Sequence, residues 1–372
     1  MKTRLWMFVC LLGLATMDVQ VSAQSRRFPF IPLGAVYTMS NAVEGNAVLV
    51  FDRAFNGRLR PAGSVPTGGL GTGSGLGNQG GLVLSRNERW LLAVNAGSDD
   101  LSVFRVGHDD LQLTDRAATG GSRPISVTIN RDLVYVLNAG SETITGFTLT
   151  RRGELQPLAN ATRSLSGSGV DPAQIAFSPD GDFLIVTEKA TNSIVVYAVD
   201  RCGLPGDPQV HPSAGATPFG FAFDRRGQLF VSEAFGGGAG ESAVSSYMLD
   251  ADGMLQAVSE SVGTNQTAAC WVVLTPDGRF AYTTNTGSGS ITGYAVDSMG
   301  ALTRLQEDGV TATTGDGSSP IDLALTRRGT FLYALGAGTQ TVSAFFVGRD
   351  GTLRTLPSVS GLPMSANGLA AR

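Results

Sequence analysis

The chain has 372 residues, 49 of them glycine, with 42% hydrophobic and only 16% charged residues, two histidines and a formal charge of -4. Ordinary soluble domains carry roughly a quarter charged residues, so this glycine-rich, charge-poor chain reads as folded and rich in turns rather than disordered. The acidic balance excludes a nucleic-acid partner, which needs a basic patch, and two histidines exclude a histidine-rich metal centre.

Residues 1–23 read as a secretory leader. Lys2 and Arg4 supply the basic start, Leu5 to Met17 are mostly apolar, and Val21, Ser22 and Ala23 form a small-residue cleavage pattern before Gln24. An apolar stretch of about 13 residues is too short to span a bilayer, and no later stretch is long enough either. The product is expected to be secreted or periplasmic, with no transmembrane segment. Residues 24–32 are a lead-in, and 33–372 are the folded body. That body keeps one lysine, Lys189, and two cysteines, Cys202 and Cys270, which the repeat below places in different blades and therefore leaves free. Asn160 and Asn265 each begin an Asn-x-Thr sequon.

A repeat organises the rest. Leu91–Phe104 (LLAVNAGSDDLSVF), Val134–Phe147 (VYVLNAGSETITGF), Phe183–Tyr197 (FLIVTEKATNSIVVY) and Ala281–Tyr294 (AYTTNTGSGSITGY) are copies of one phrase. Each is an apolar strand, a polar turn and a second strand that ends on an aromatic. The anchor positions are Asn41, Asn95, Asn138, Glu188, Glu233, Asn285 and Gly336, spaced by 54, 43, 50, 45, 52 and 51 residues. Each interval suits one four-stranded blade, so the fold class is all-β, a seven-bladed β-propeller.

The innermost strands fall at 81–85, 125–130, 174–178, 219–224, 271–275 and 321–326. They are largely apolar without alternation, as strands buried on both faces are. Turns at Gly181, Gly278 and Gly329 lead to the second strands, and hairpins at Gly253, Gly300 and Gly351 lead to the outer ones. The first blade lacks its inner strand at the N-terminus. Ala366–Ala371 (ANGLAA) mimics Gln79–Leu84 (QGGLVL), so the C-terminal strand is expected to complete blade one and close the ring. The run Gly68–Gly77 (GGLGTGSGLG) lacks the Gly-Lys-Ser/Thr ending and helix of a phosphate loop, and reads as a flexible connection between blades one and two.

Ligands of such rings usually enter the concavity where inner strands begin and second strands end. The residues expected there include Arg123, Gln174, Trp271 and Asp322 on the inner strands, and Asn138, Glu188, Glu233 and Asn285 on the anchor ring. Asparagine after a strand is chiefly turn chemistry. Glutamate has no such preference. Glu188 and Glu233, in adjacent blades, are therefore the candidate catalytic pair: they could share a proton as acid and base, or hold a divalent cation in the channel through oxygen ligands. The plainer alternative pairs them with Lys189 or Arg123. Trp271 offers a stacking face for a ring ligand or simply fills core. No cofactor is called for. His108 falls in an outer hairpin and His211 in a loop between blades, away from any serine that could use them.

The phrase in blade four, Asp171–Glu188 (DPAQIAFSPDGDFLIVTE), resembles the lactonase-type seven-bladed propellers, the family of bacterial 6-phosphogluconolactonases and fungal carboxymuconate-lactonizing enzymes. The family reads Gly-Pro-Arg-His, a strand, Pro-Asp-Gly, a second strand and Asn-Glu. Glu188 lands on the family glutamate, while Ala173, Gln174 and Thr187 replace its arginine, histidine and asparagine. The resemblance implies a monomeric lactonase-like hydrolase or cycloisomerase of carbohydrate metabolism, acting on a sugar-type or organic-acid lactone. Glu188 would act as acid/base, Glu233 and Asp322 would assist, and Arg123 and Asn138 would orient the substrate. The lost Arg-His pair, with glycines at Gly81, Gly220 and Gly368, leaves a rival open: a non-catalytic scaffold of the cell envelope, with a wide, neutral mouth for a ligand or protein.

Overall fold

No single copy of the repeat can bury its own apolar faces, so the copies stack side by side around an axis. The computed structural model describes residues 30–108 and 110–372. The expected leader and residues 24–29 of the lead-in lie outside the described residues.

Seven antiparallel sheets result, and each inner strand leads outward through its sheet. In blades two to seven the inner strands are Leu82–Leu84, Pro124–Asn130, Pro172–Phe177, Pro218–Phe223, Ala269–Leu274 and Pro320–Leu325. Blade one takes its inner strand from the C-terminus: Asn367–Ala371 lies antiparallel to Pro32–Met39, with Thr38 opposite Leu369 and Val36 opposite Ala371. Expected closure and found closure coincide. Blades three and six carry a fifth short piece, Arg163–Ser164 and Ala312–Thr313, beside their third strands. The helical content among the described residues is one 3-10 turn, Phe235–Gly237, inside the long loop that follows Glu233.

Apolar side chains packed between adjacent sheets form the core, and a repeated device locks the seams. The Tyr135 hydroxyl donates to Gly203 O at 2.6 Å, Tyr282 to Gly351 O at 2.8 Å, and Tyr333 to Gly57 O at 2.8 Å. In each case a second-strand tyrosine reaches the outer hairpin of the next blade, so a buried hydroxyl finds its partner. The hairpin glycine is required there. Gly57 has φ +81°, and a Cβ on it would lie 2.4 Å from the Phe331 ring.

Both cysteines are free, Cys202 exposed and Cys270 buried. His211 sits in the outer strand Gln209–Pro212 of blade four, not in a connecting loop, and is buried.

Candidate functional site

The anchor asparagines of blades two, three and six donate within their own blades, while the amide oxygens of Asn138 and Asn285 are buried without a partner. Asn95 Nδ2 donates to Asp100 Oδ1 and Ser102 Oγ, Asn138 Nδ2 to Thr145 Oγ1, and Asn285 Nδ2 to Ser290 and Thr292 hydroxyls. The anchor side chain thus bridges the second strand to the third across the turn that joins them. The glutamates reach further, to the connection that enters their own blade. Glu188 accepts from the backbone N–H of Ser166 at 3.0 Å, from the Ser166 hydroxyl, and from Thr191 Oγ1 at 3.0 Å. Glu233 Oε1 accepts from Gly215 N at 2.8 Å and Ser245 Oγ at 2.6 Å, and Oε2 accepts from Ser261 Oγ at 2.7 Å. Burial raises the Glu233 carboxyl above its ordinary value, against the lowering pull of those donors. Both side chains are fully buried and share no donor.

Neither Lys189 nor Arg123 pairs with them. Lys189 Nζ lies 3.3 Å from Asp171 Oδ1, donates to Gly77 O at 2.8 Å and stands 5.0 Å above the centre of the Phe219 ring. Burial lowers its pKa, and Asp171 opposes that shift. Arg123 is exposed at φ +53°, and its backbone N–H donates to Asp99.

The inner strands start with a register shift in blades three to seven. A backbone N–H three residues beyond the strand start takes a partner from outside its own blade. Ser126 Oγ accepts from Ile175 N at 3.1 Å across blades three and four. Gln174 spans blades four and five with both ends of its amide, taking Phe221 N at 2.7 Å and giving to Phe221 O at 3.0 Å. The corresponding residue of blade five is Gly220, which has no side chain to offer. Gln79, arriving from blade two, makes the same two-ended contact with Val272 of blade six, at 3.0 and 2.9 Å. A Cβ on Gly220 would come within 1.9 Å of the Gln79 amide oxygen. The glycine is there because a side chain from across the channel occupies its place.

This contact closes the mouth. Asn78 donates to Ile125 O, accepts from Trp271 Nε1 through its backbone oxygen at 2.8 Å, and meets Asn367 Nδ2 at 3.1 Å. Trp271 packs on Phe219 at 4.9 Å between ring centres. Asn78, Gln79, Gln174, Trp271, Asp322 and Asn367 are all at least nine-tenths buried. The expected wide, glycine-lined mouth is therefore replaced by a polar plug. The glycine-rich run behind the plug is also held: Gly71 N donates to Ala42 O at 2.8 Å and Gly97 N to Leu70 O at 3.0 Å. It is a fitted connection, not a free one.

Asp322 accepts from Leu323 N at 2.8 Å and from the backbone of Leu369 in blade one. Burial without a cation beside it raises its pKa to about 8, so at neutral pH it is mostly a protonated inter-blade link. Burial likewise pushes the Cys270 thiol up to about 12. Among the described residues, no three His, Cys, Asp or Glu side chains gather where they could hold a metal ion.

The sequence reading missed the other end of the channel. There the inner strands leave into tight turns around a cavity of about 1110 Å³, lined by Arg86, Arg131, Arg225 and Arg327 with Ile129, Phe177 and Phe223. The signal was present as arginine or Arg-Arg at four of the inner-strand turns.

The family described as lactonase, 7-bladed beta-propeller, matches this chain over residues 35–171, 161–234 and 241–366. Among solved structures, a Lactobacillus plantarum protein superposes with a TM-score of 0.73 at 18% identity, covering 91% of this chain and 100% of its own. A Bacteroides uniformis protein proposed to be a 6-phosphogluconolactonase gives 0.71 at 19% identity over 90% of this chain and 99% of its own. The periplasmic gluconolactonase of Pseudomonas aeruginosa gives 0.68 at 19% identity over 90% and 98%. At such identities these likenesses speak for the fold alone. No curated protein matches the sequence.

Proposed function

Because the chain belongs to the lactonase seven-bladed β-propeller family, we propose that it is an exported propeller that binds a small molecule through its open channel mouth. On this reading it works outside the cytoplasm, secreted or periplasmic, and opens no lactone at the mouth that holds Glu188. One observation carries the reading: the Glu188 and Glu233 carboxylates are fully buried, and each of their oxygens already accepts a hydrogen bond from a backbone N–H or hydroxyl of the fold. A general acid or base has to come within hydrogen-bond reach of the group it protonates or deprotonates. A carboxylate already tied to internal donors in a closed seam does not.

The test is a panel of sugar-type and organic-acid lactones at pH 7, with Glu188→Gln beside the unmodified protein. The expected result is ring opening at the background rate for both. Turnover that the substitution abolishes would overturn the reading.

The retained family glutamate favours a second reading, an exported lactone hydrolase or cycloisomerase whose mouth opens when Asn78 and Gln79 withdraw. Gln79→Gly should then raise lactone turnover well above that of the unmodified chain. An unchanged background rate in that variant disposes of it.

A further inference from the structure

The two ends of the channel have opposite chemistry. At the open end, Arg86, Arg131, Arg225 and Arg327 belong to the turns of blades two, three, five and seven, and all four are exposed. None of the four guanidinium groups makes an ion pair or hydrogen bond among the described residues. The cavity also holds two carboxylates, Asp180 and Asp224, which bond into their own turns and leave the four arginines in excess. Asp180 Oδ1 accepts from Ser178 Oγ at 2.5 Å and Asp182 N at 3.1 Å, and Asp224 Oδ1 accepts from Arg226 N at 2.8 Å and Gln228 N at 2.9 Å. Both carboxylates are bent back into their own turns. Four uncommitted guanidiniums thus surround a cavity whose walls include Ile129, Ala176, Phe177, Ala222 and Phe223.

Guanidinium groups take carboxylates two oxygens at a time, and are more weakly hydrated than ammonium groups. Partly buried aromatic and aliphatic walls select against a purely hydrated ion. We propose that this mouth is a binding site for a multivalent organic anion with an apolar body, a di- or tricarboxylate, seated with its charges on the arginine ring and its body against the phenylalanine walls. The proposal rests on the ligand-binding reading above and names its ligand class. A chain with an overall charge of -4 that keeps four arginines against two aspartates at one mouth draws such an anion there by local field rather than by net charge.

The experiment is calorimetric titration of the mature chain at 50 mM and 300 mM salt. The probes are benzene-1,3,5-tricarboxylate, benzoate, inorganic phosphate and neutral glucono-lactone. The tricarboxylate is expected to bind at least tenfold more tightly than benzoate or phosphate, and to weaken at least threefold at the higher salt. Arg131→Gln and Arg327→Gln should each weaken it several-fold. Arg349→Gln, an exposed arginine in the outer hairpin of blade seven, should leave it unchanged. All three sites are exposed, so folding is expected to survive and is checked by the melting curve.

Phosphate binding as tight as the tricarboxylate would sink the organic body of the proposal. Equal binding by the arginine variants would sink the site. Binding of neutral glucono-lactone but of no anion would overturn this ligand class while leaving the ligand-binding reading intact. Binding of none of the probes overturns the ligand class as well.

Discussion

The two ends of the central channel are built from the same seven strands, yet one is sealed and the other open. At the starting end inner-strand backbone N–H groups are left without a partner in their own blade, and side chains of the preceding blade, or in one case from across the channel, satisfy them. Ser126, Gln174, Gln79 and Asp322 do so. At the finishing end each strand runs into a tight turn that satisfies itself, as Gly181 N does on Ser178 O at 3.0 Å. Side chains there are released from structural duty. The lesson is that unpaired backbone groups, which fold poorly when buried, decided which mouth was filled.

The largest effect on this contrast should come from Gln79→Ala. It strands both backbone groups of Val272 in a buried seam and empties the place beside Gly220. With each unmet buried group costing roughly 1–3 kcal/mol, a loss of about 2–4 kcal/mol is expected, read as a lower urea midpoint. An unchanged midpoint would mean that the plug is not holding blades two and six together.

A smaller, pH-dependent effect belongs to Asp322. Burial raises its folded pKa to about 8, above the unfolded value of about 3.9, so the folded chain keeps a proton that the unfolded chain has released. The stability this group contributes is fully present below about pH 4 and is lost as pH rises through about 8. Asp322→Asn should flatten that decline, worth at most about 1.4 kcal/mol per pH unit for one proton. Parallel stability curves for both proteins between pH 5 and 9 would contradict the buried, protonated link.

The smallest change is Trp271→Phe. It keeps an aromatic ring against Phe219 but removes the bond to the Asn78 backbone oxygen and the volume of the fused ring, a combined cost of about 1–2 kcal/mol in thermal or urea unfolding. A loss several times larger would show that the plug unseats as a unit.

Much of this was legible beforehand. The spacing of Asn41 through Gly336 gave the seven blades, and the likeness of ANGLAA to QGGLVL gave the closure, because register in a repeated sheet is written in local apolar pattern. The candidate site was legible as positions on strands, not as contacts. Gln174 and Asp322 lie on the inner strands expected for them, where each joins neighbouring blades. Asn78 and Gln79 carried a visible sign, an Asn-Gln pair where blades three, four, five and seven start with a residue and a proline, at Pro124, Pro172, Pro218 and Pro320. Nothing in the one-dimensional pattern said that Gln79 would cross to Val272, 193 residues away.

By itself, then, the sequence determined the repeat, its count, its closure and the glycine turns, all of which depend on neighbours within a blade. Tertiary structure alone decided that the glutamates are internal fastenings, that Gly220 is empty to admit Gln79, and that the arginine turns converge on one cavity. Those facts depend on pairs far apart in the chain, set by ring geometry and by the need of every buried polar group for a partner.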